Sequence, residues 1–311
     1  MFKKTIIFIF TSMFIIFGCS DVVKFGELPK FSDYDTYKIF GGMHNYGDKA
    51  IWYSSGEYIV FVYSGINTYY SAICKIDPDG KNFEILYEPT EYKDFHISGI
   101  SGDGYILFDE SGISMNESDI YYYKPYEEPI KTSIKGIFPT IFGNLSGKYN
   151  IAYLYEDNDK TDEYSIYVSD INGSKPKKLI GEGYLYYPCW STDGKKLVYI
   201  KEENDTDNLC IYDIESNNES ILYHHGGIKC PKFSPDCNYI AFSAQIEKPI
   251  DQHGVCLINA SGGDPWQITQ YPYDPGRETP GVCYLSWSHD GKWIVYDIGP
   301  EGELWKVRVF E

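Results

Sequence analysis

The groups in this chain that could do chemistry fall into three sets. Acidic side chains crowd two short runs. Residues 156–163 carry Asp157, Asp159 and Asp162, and residues 202–207 carry Asp205 and Asp207. Carboxylates at this density suit Ca²⁺ or a basic partner, although neither run has the Gly and terminal Glu of a helix–loop–helix calcium site. Tyrosines gather at residues 184–188, with Tyr186 and Tyr187, and at residues 271–275, with Tyr273. Aromatic faces beside carboxylates also suit sugar rings. The segment from Gln270 to Cys283 adds Arg277 and Glu278, and its length marks it as a better binding candidate than a tight turn. Tyr186, Tyr187, Tyr273, Arg277 and Glu278 are therefore the candidate ligand face. The histidines are His44, His96, His224, His225, His253 and His289. His96, His224 and His225 lie near expected connections, where a metal-binding cluster would form, and His289 falls in a turn open to solvent. The sequence has no nucleophile elbow, Walker loop, dinucleotide fingerprint or H-E-x-x-H motif, so no catalytic residue is assigned.

The first residues read as an address. Lys3 and Lys4 precede an apolar run over residues 6–17, which is too short to span a bilayer comfortably. The run ends in Gly18-Cys19-Ser20. This ending resembles the lipobox of bacterial lipoproteins. The resemblance implies removal of residues 1–18, lipidation of Cys19 and a tether over residues 19–33. Acyl chains on Cys19 would anchor the protein stably, at about 0.8 kcal/mol for each buried CH₂. The expected location is the cell envelope, and Ser20 after the Cys points to the outer membrane if the cell is Gram-negative.

Composition narrows the rest. The chain of 311 residues carries a formal charge of −18, which argues against a nucleic-acid partner. It uses Tyr 31 times and Met only four times, a bias toward strand formers. Seven cysteines follow Cys19, so at least one stays unpaired within the chain. Cys230 and Cys237, the closest pair, lie beyond disulfide reach if the chain between them is extended.

The candidate residues sit on a repeat. Trp190-Ser191-Thr192-Asp193-Gly194-Lys195 matches Trp287-Ser288-His289-Asp290-Gly291-Lys292, and Phe233-Ser234-Pro235-Asp236-Cys237 lies between them with Cys in the Gly place. Weaker copies put the marker position at 56, 104 and 147, so it recurs every 43 to 54 residues at 56, 104, 147, 194, 237 and 291. Each copy predicts a short strand, an Asp-Gly type turn, an apolar second strand, a third strand and, in all but the last unit, a fourth. Third strands are expected at residues 73–76, 120–123, 166–168, 209–212, 255–258 and 304–307. Four short strands per unit of forty-odd residues is the pattern of a β-propeller blade. The sixth unit stops at its third strand, so Thr36–Phe40 is expected to supply its outer strand and close the ring.

The W-S-x-D-G-K motif with its following apolar strand, and turns such as Asp170-Ile171-Asn172-Gly173, resemble the TolB-type β-propeller repeat over about residues 45–311. That resemblance implies an all-β, six-bladed propeller over residues 34–311, with four-stranded antiparallel blades. The same repeat occurs in propellers of prolyl-oligopeptidase-like and oligogalacturonate-lyase-like enzymes, so it identifies a fold rather than an activity. Unlike TolB, which places an α/β domain first, this sequence has only about 25 residues between Cys19 and the first unit. The expected function is a lipid-anchored, monomeric, non-enzymatic envelope module. Its partner would be an envelope protein with a basic patch, or a glycan, and no cofactor is expected apart from Ca²⁺ on the acidic runs. The alternative is a polysaccharide-binding or oligogalacturonate-lyase-like enzyme with a metal in the propeller channel.

Overall fold

The computed structural model describes residues 35–41, 45–65, 71–90, 93–110, 118–156, 163–246, 254–269, 282–299 and 302–310. Among them every regular element is a strand. β1 (Thr36–Phe40) precedes the first unit, which is β2 (Asn45–Trp52), β3 (Ile59–Gly65), β4 (Ser71–Ile76) and β5 (Glu84–Tyr87). The second unit is β6 (Phe95–Ile100), β7 (Ile106–Glu110), β8 (Asp119–Tyr123) and β9 (Ile130–Lys135). The third begins with β10 (Ile137–Ile141), β11 (Ile151–Tyr155) and β12 (Tyr164–Ser169), then enters β13 (Lys177–Trp190). The fourth continues through β14 (Lys196–Glu203), β15 (Thr206–Asp213) and β16 (Asn218–His224). The fifth is β17 (Lys229–Phe233), β18 (Tyr239–Ala244), β19 (Gly254–Asn259) and β20 (Trp266–Gln267). The last is β21 (Val282–Trp287), β22 (Trp293–Ile298) and β23 (Glu303–Arg308).

All six expected third strands are present, as β4, β8, β12, β15, β19 and β23. The closing strand is also where the repeat pattern placed it. β1 pairs antiparallel with β23, completing a four-stranded sheet in the order β1-β23-β22-β21.

One feature departs from the expected six separate sheets. Hydrogen bonding gives four sheets of four strands and one of seven. The difference is β13. Its first half pairs with β12 and its second half, from Tyr184, pairs with β14. The fourth strand of one unit thus runs into the first strand of the next without a turn. Residues 184–188, where the candidate tyrosines gather, are consequently strand.

The core explains the sequence pattern. Second strands are apolar at successive positions because each sheet is covered on both faces. Val198 and Ile200 of β14 pack toward Phe233 and Phe242 of the fifth unit. Leu197 and Tyr199 pack the other way, toward Ala152 and Ile166 of the third. Each of the six apolar clusters is shared between neighbouring units in this manner. The first strands, β2, β6, β10, β13, β17 and β21, touch one another in that order, and β21 touches β2. They therefore line a central bore.

The marker turns share one hydrogen bond. Gly56, Gly104, Gly147, Gly194, Cys237 and Gly291 each donate their amide to the carbonyl three residues earlier, at 2.8–3.0 Å. Around three of them the side chains repeat as well. The Ser191 hydroxyl donates to Asp193, which also accepts from the Lys195 amide. The Ser234–Asp236 and Ser288–Asp290 pairs copy this arrangement. Burial alone would raise the Asp193 carboxyl, but the Ser191 hydroxyl and the Lys195 amide hold it below its ordinary range. These Asp residues are folding devices.

Cys237 takes a left-handed conformation, φ 61°, where four of the other markers have Gly at 68–87°. A side chain there crowds the backbone. Cys237→Gly should raise stability by about 1 kcal/mol, read as a higher urea midpoint at unchanged slope. A lower midpoint would mean that the 3.1 Å contact of the Cys237 thiol with the Thr192 hydroxyl outweighs the strain.

Candidate functional site

The bore is shaped by a defect repeated in every first strand. β2, β6, β10, β13, β17 and β21 each carry one residue more than their partner across the same short stretch, a β-bulge. A bulge bends a strand and re-aims its side chains. Four bulges place a non-glycine residue at positive φ: Lys49, Phe138, Tyr187 and Cys230, at 50–55°. Three of these precede a proline (Pro139, Pro188 and Pro231). Within a sheet, proline is tolerated at edges and bulges, and a first strand is the edge that faces the bore.

The bulges form a throat. Phe138 and Tyr187 meet edge-on at 5.1 Å between ring centres, and Tyr187 meets Tyr284 at 6.5 Å. These rings narrow the bore to a cavity of about 20 Å³, which Lys49 and Lys232 also line. Two buried carboxylates hold the bulges in place. Asp297 on β22 accepts the amides of Lys49 and Tyr284, each at 2.8 Å. Asp109 on β7 accepts the Phe138 amide at 3.0 Å and pairs with His96 Nδ1 at 3.0 Å.

On the side of the marker turns the bore widens into a funnel of about 220 Å³. Trp52, Trp190, Phe233 and Trp287 form its walls, and Thr192 and His289 stand at its rim. The Trp287 indole donates to the Lys232 carbonyl at 3.2 Å. Lys232 lines both the funnel and the throat. Among the described residues no carboxylate lines either one. Lys49 and Lys232 are thus the charged side chains among the throat's described lining residues, and Lys49 is paired with Asp94.

The sequence-predicted residues fall in several places. Tyr187 is in the throat. Tyr186 packs into the apolar cluster between the fourth and fifth units. Asp205 sits with Asn204 at the tip of the β14–β15 hairpin, both at positive φ (58° and 54°). A two-residue turn of this kind favours Asn and Asp. The acidic run over residues 202–207 is therefore mostly paired strand. Asp207 braces the chain: its Oδ2 accepts the amides of Gly227 at 2.6 Å and Ile228 at 2.9 Å. Cys19, Asp157, Asp159, Asp162, Tyr273, Arg277 and Glu278 lie outside the described residues.

His96 and His224 stand on different sheets, and His225 follows His224. Among the described residues, no group of three or more His, Cys, Asp or Glu side chains could hold a metal ion. Cys74, Cys189, Cys210, Cys230, Cys237 and Cys256 carry free thiols. Sequence reasoning missed the bulges and the buried Asp109 and Asp297. The recurring prolines at 139, 188 and 231 were the available signal for three of the bulges.

Comparison with known proteins gives a consistent result. The family model described as TolB beta propeller domain matches residues 132–304, over half of the chain. The Tol-Pal system protein TolB of Histophilus somni strain 2336 is 25% identical over 178 residues, which cover 54% of this chain and 37% of that protein. The chain therefore aligns with little more than a third of that relative's length. Uncharacterized protein Atu1656 of Agrobacterium fabrum is 27% identical over 219 residues, 68% of this chain and 71% of that one. The solved structure of TolB from Acinetobacter baumannii superposes with a TM-score of 0.54 at 20% identity, over 68% of this chain and 51% of that chain. At that identity the likeness speaks for the fold alone.

Proposed function

This chain belongs to the TolB β-propeller family, and on that premise we propose that it is a lipid-anchored, six-bladed propeller of the cell envelope that binds a protein partner and has no catalytic role of its own. In this reading β13 serves two blades, and residues 34–311 form the propeller. Residues 1–18 are a leader, Cys19 carries the lipid, and residues 19–33 are the tether. Relatives named for the Tol-Pal system support an envelope role. The observation that carries the binding role is the funnel, an aromatic-walled concavity built by successive repeats around a throat closed by Phe138, Tyr187 and Tyr284. Sites of this kind are concave, mostly apolar, and carry a few placed polar groups. The acidic surplus of the chain favours a partner whose outer surface is basic.

Two variants test the proposal. The full chain, cross-linked in intact cells and captured from detergent-solubilised envelopes, should retain a defined protein. Ser54→Trp, which fills the funnel mouth, should lose it. Capture that Ser54→Trp leaves intact would move the site away from the funnel. Cys19→Ala should shift the chain from the detergent phase to the aqueous phase on phase separation, and a chain that stays in detergent would remove the lipid anchor.

A further inference from the structure

The bore contains one cation whose charge nothing in the described structure explains. Several other partly buried lysines have partners. Lys49 pairs with Asp94 at 3.0 Å, Lys93 with Glu110 at 2.7 Å and Lys38 with Glu303 at 2.5 Å. Lys306 donates to the Pro78 carbonyl at 2.8 Å and lies over Trp293. Lys232 is half-buried and lines the junction of throat and funnel, yet among the described residues no acidic group pairs with it. Asp109 and Asp297 stand behind the bulges with backbone amides on their oxygens, and among the described residues no carboxylate lines this junction itself. A charge between apolar walls acts through a lower dielectric than it would in water, and a cleft of one sign focuses its field toward the mouth.

The walls define the rest of the ligand. Trp52, Trp190 and Trp287 come from different repeats, and together they surround a space that suits a ring or a branched aliphatic group. Thr192 and Ser54 on the rim can meet peptide amides. An apolar wall above a single ammonium selects a ligand with one negative group beyond an apolar body.

We propose that the funnel is a receptor for a carboxylate carried on an aromatic or aliphatic group, with Lys232 as its ion-pair partner. The inference rests on the protein-binding reading above and names the chemistry that the partner presents: a chain end, or an acidic side chain next to an apolar one. The partner's basic surface would face the acidic exterior while its carboxylate enters the bore, so the two signs act at different radii.

The test uses two probes that share a body and differ in charge: N-acetyl-phenylalanine and its uncharged amide, N-acetyl-phenylalaninamide. Three tryptophans line the funnel, so intrinsic fluorescence of the full chain reports binding. The acid should bind about tenfold more tightly than the amide at low salt, and the difference should shrink as salt rises. Lys232→Met should reduce the acid to the level of the amide, whereas Lys232→Arg should keep most of the preference. A peptide ending in Gly-Gly-Phe should bind at least as well as the acetylated amino acid if a partner's chain end is the source. If only the free acid binds, the source is a small carboxylic acid instead. Equal binding of acid and amide by the wild type, or an acid affinity untouched in a folded Lys232→Met, would overturn the proposal. A protein captured from envelopes equally well by wild type and Lys232→Met would keep the protein-binding reading and remove this site.

Discussion

Deletion of residues 35–41 should lower the melting temperature by about 10 °C or more, or leave the chain unable to fold at 37 °C. The segment is short, but it completes the last sheet beside the contacts that β2 makes with β21 and β22. β1 is the outer strand of the last sheet, and it joins the beginning of the chain to its end. Ile39 is buried in the cluster shared by the last and first units, with Phe61, Val295 and Leu304. Phe40 stacks on Phe83 and leans on Phe61. Lys38 pairs with Glu303, and Arg308 donates its amide to the Asp35 carbonyl at 2.9 Å. Truncating one buried aliphatic or aromatic residue typically costs about 2–5 kcal/mol, and the deletion removes both kinds together with a ladder of backbone bonds. It also leaves β23 as an open edge, so the truncated protein should associate through strand pairing. Ile39→Ala, which keeps the ladder, should cost about 2–5 kcal/mol by itself. The exit from β1 is as constrained as the strand. Gly41 has φ +97°, and a Cβ there would lie 2.8 Å from the Glu303 Cα and from the Gly302 carbonyl oxygen. A melting curve unchanged by the deletion would mean that the ring closes by other contacts.

What could be read in advance follows from the range of each interaction. Third strands and marker turns were legible because their signals are local: short runs of strand formers bounded by turn residues, and an Asp or Ser that bonds its own backbone. The closing strand was legible because a sheet one strand short needs a partner. The continuity of β13 was not, since Gly181 and Gly183 resemble the end of one unit when they lie within a single strand. The acidic run over residues 202–207 misled for a similar reason. Charge density suggested a cation or a basic partner, whereas Glu202 and Glu203 pair with Asp207 and Thr206 across a tight hairpin. The site was harder still. Tyr187 was picked out for its aromatic ring, but its place in the throat depends on a bulge at φ 53°. Lys232 looks like any surface lysine in the sequence. Its isolation from carboxylates is a property of six strands brought together from across the whole chain.

Replacement of Asp297 by Ala should cost about 3–5 kcal/mol and alter the bore as well. Asp297 is 1% exposed, at a position in β22 where the second strands of three other units carry apolar residues. Its two oxygens satisfy two amides that belong to different sheets, Tyr284 on β21 and Lys49 on β2. Both amides are freed from their ladders by bulges. The bulge that opens the bore and the carboxylate that repairs it therefore form one device. Alanine would leave two buried donors without this acceptor. Asparagine should cost less, because it keeps one acceptor oxygen, but its amide nitrogen would face the second N–H. The order wild type, Asp297→Asn, Asp297→Ala in urea midpoint tests this account. Asp109 is fully buried and makes the same link to Phe138 in the third unit, so Asp109→Ala should follow the same course. The two sites differ in their second partner, which at Asp109 is the His96 ring rather than an amide. A loss below about 1 kcal/mol for Asp297→Ala would show that the bulge at Lys49 does not need its carboxylate. A full loss accompanied by a changed fluorescence of the funnel tryptophans would show that the geometry of the bore is set from the second strands, one layer behind the residues that a ligand would touch.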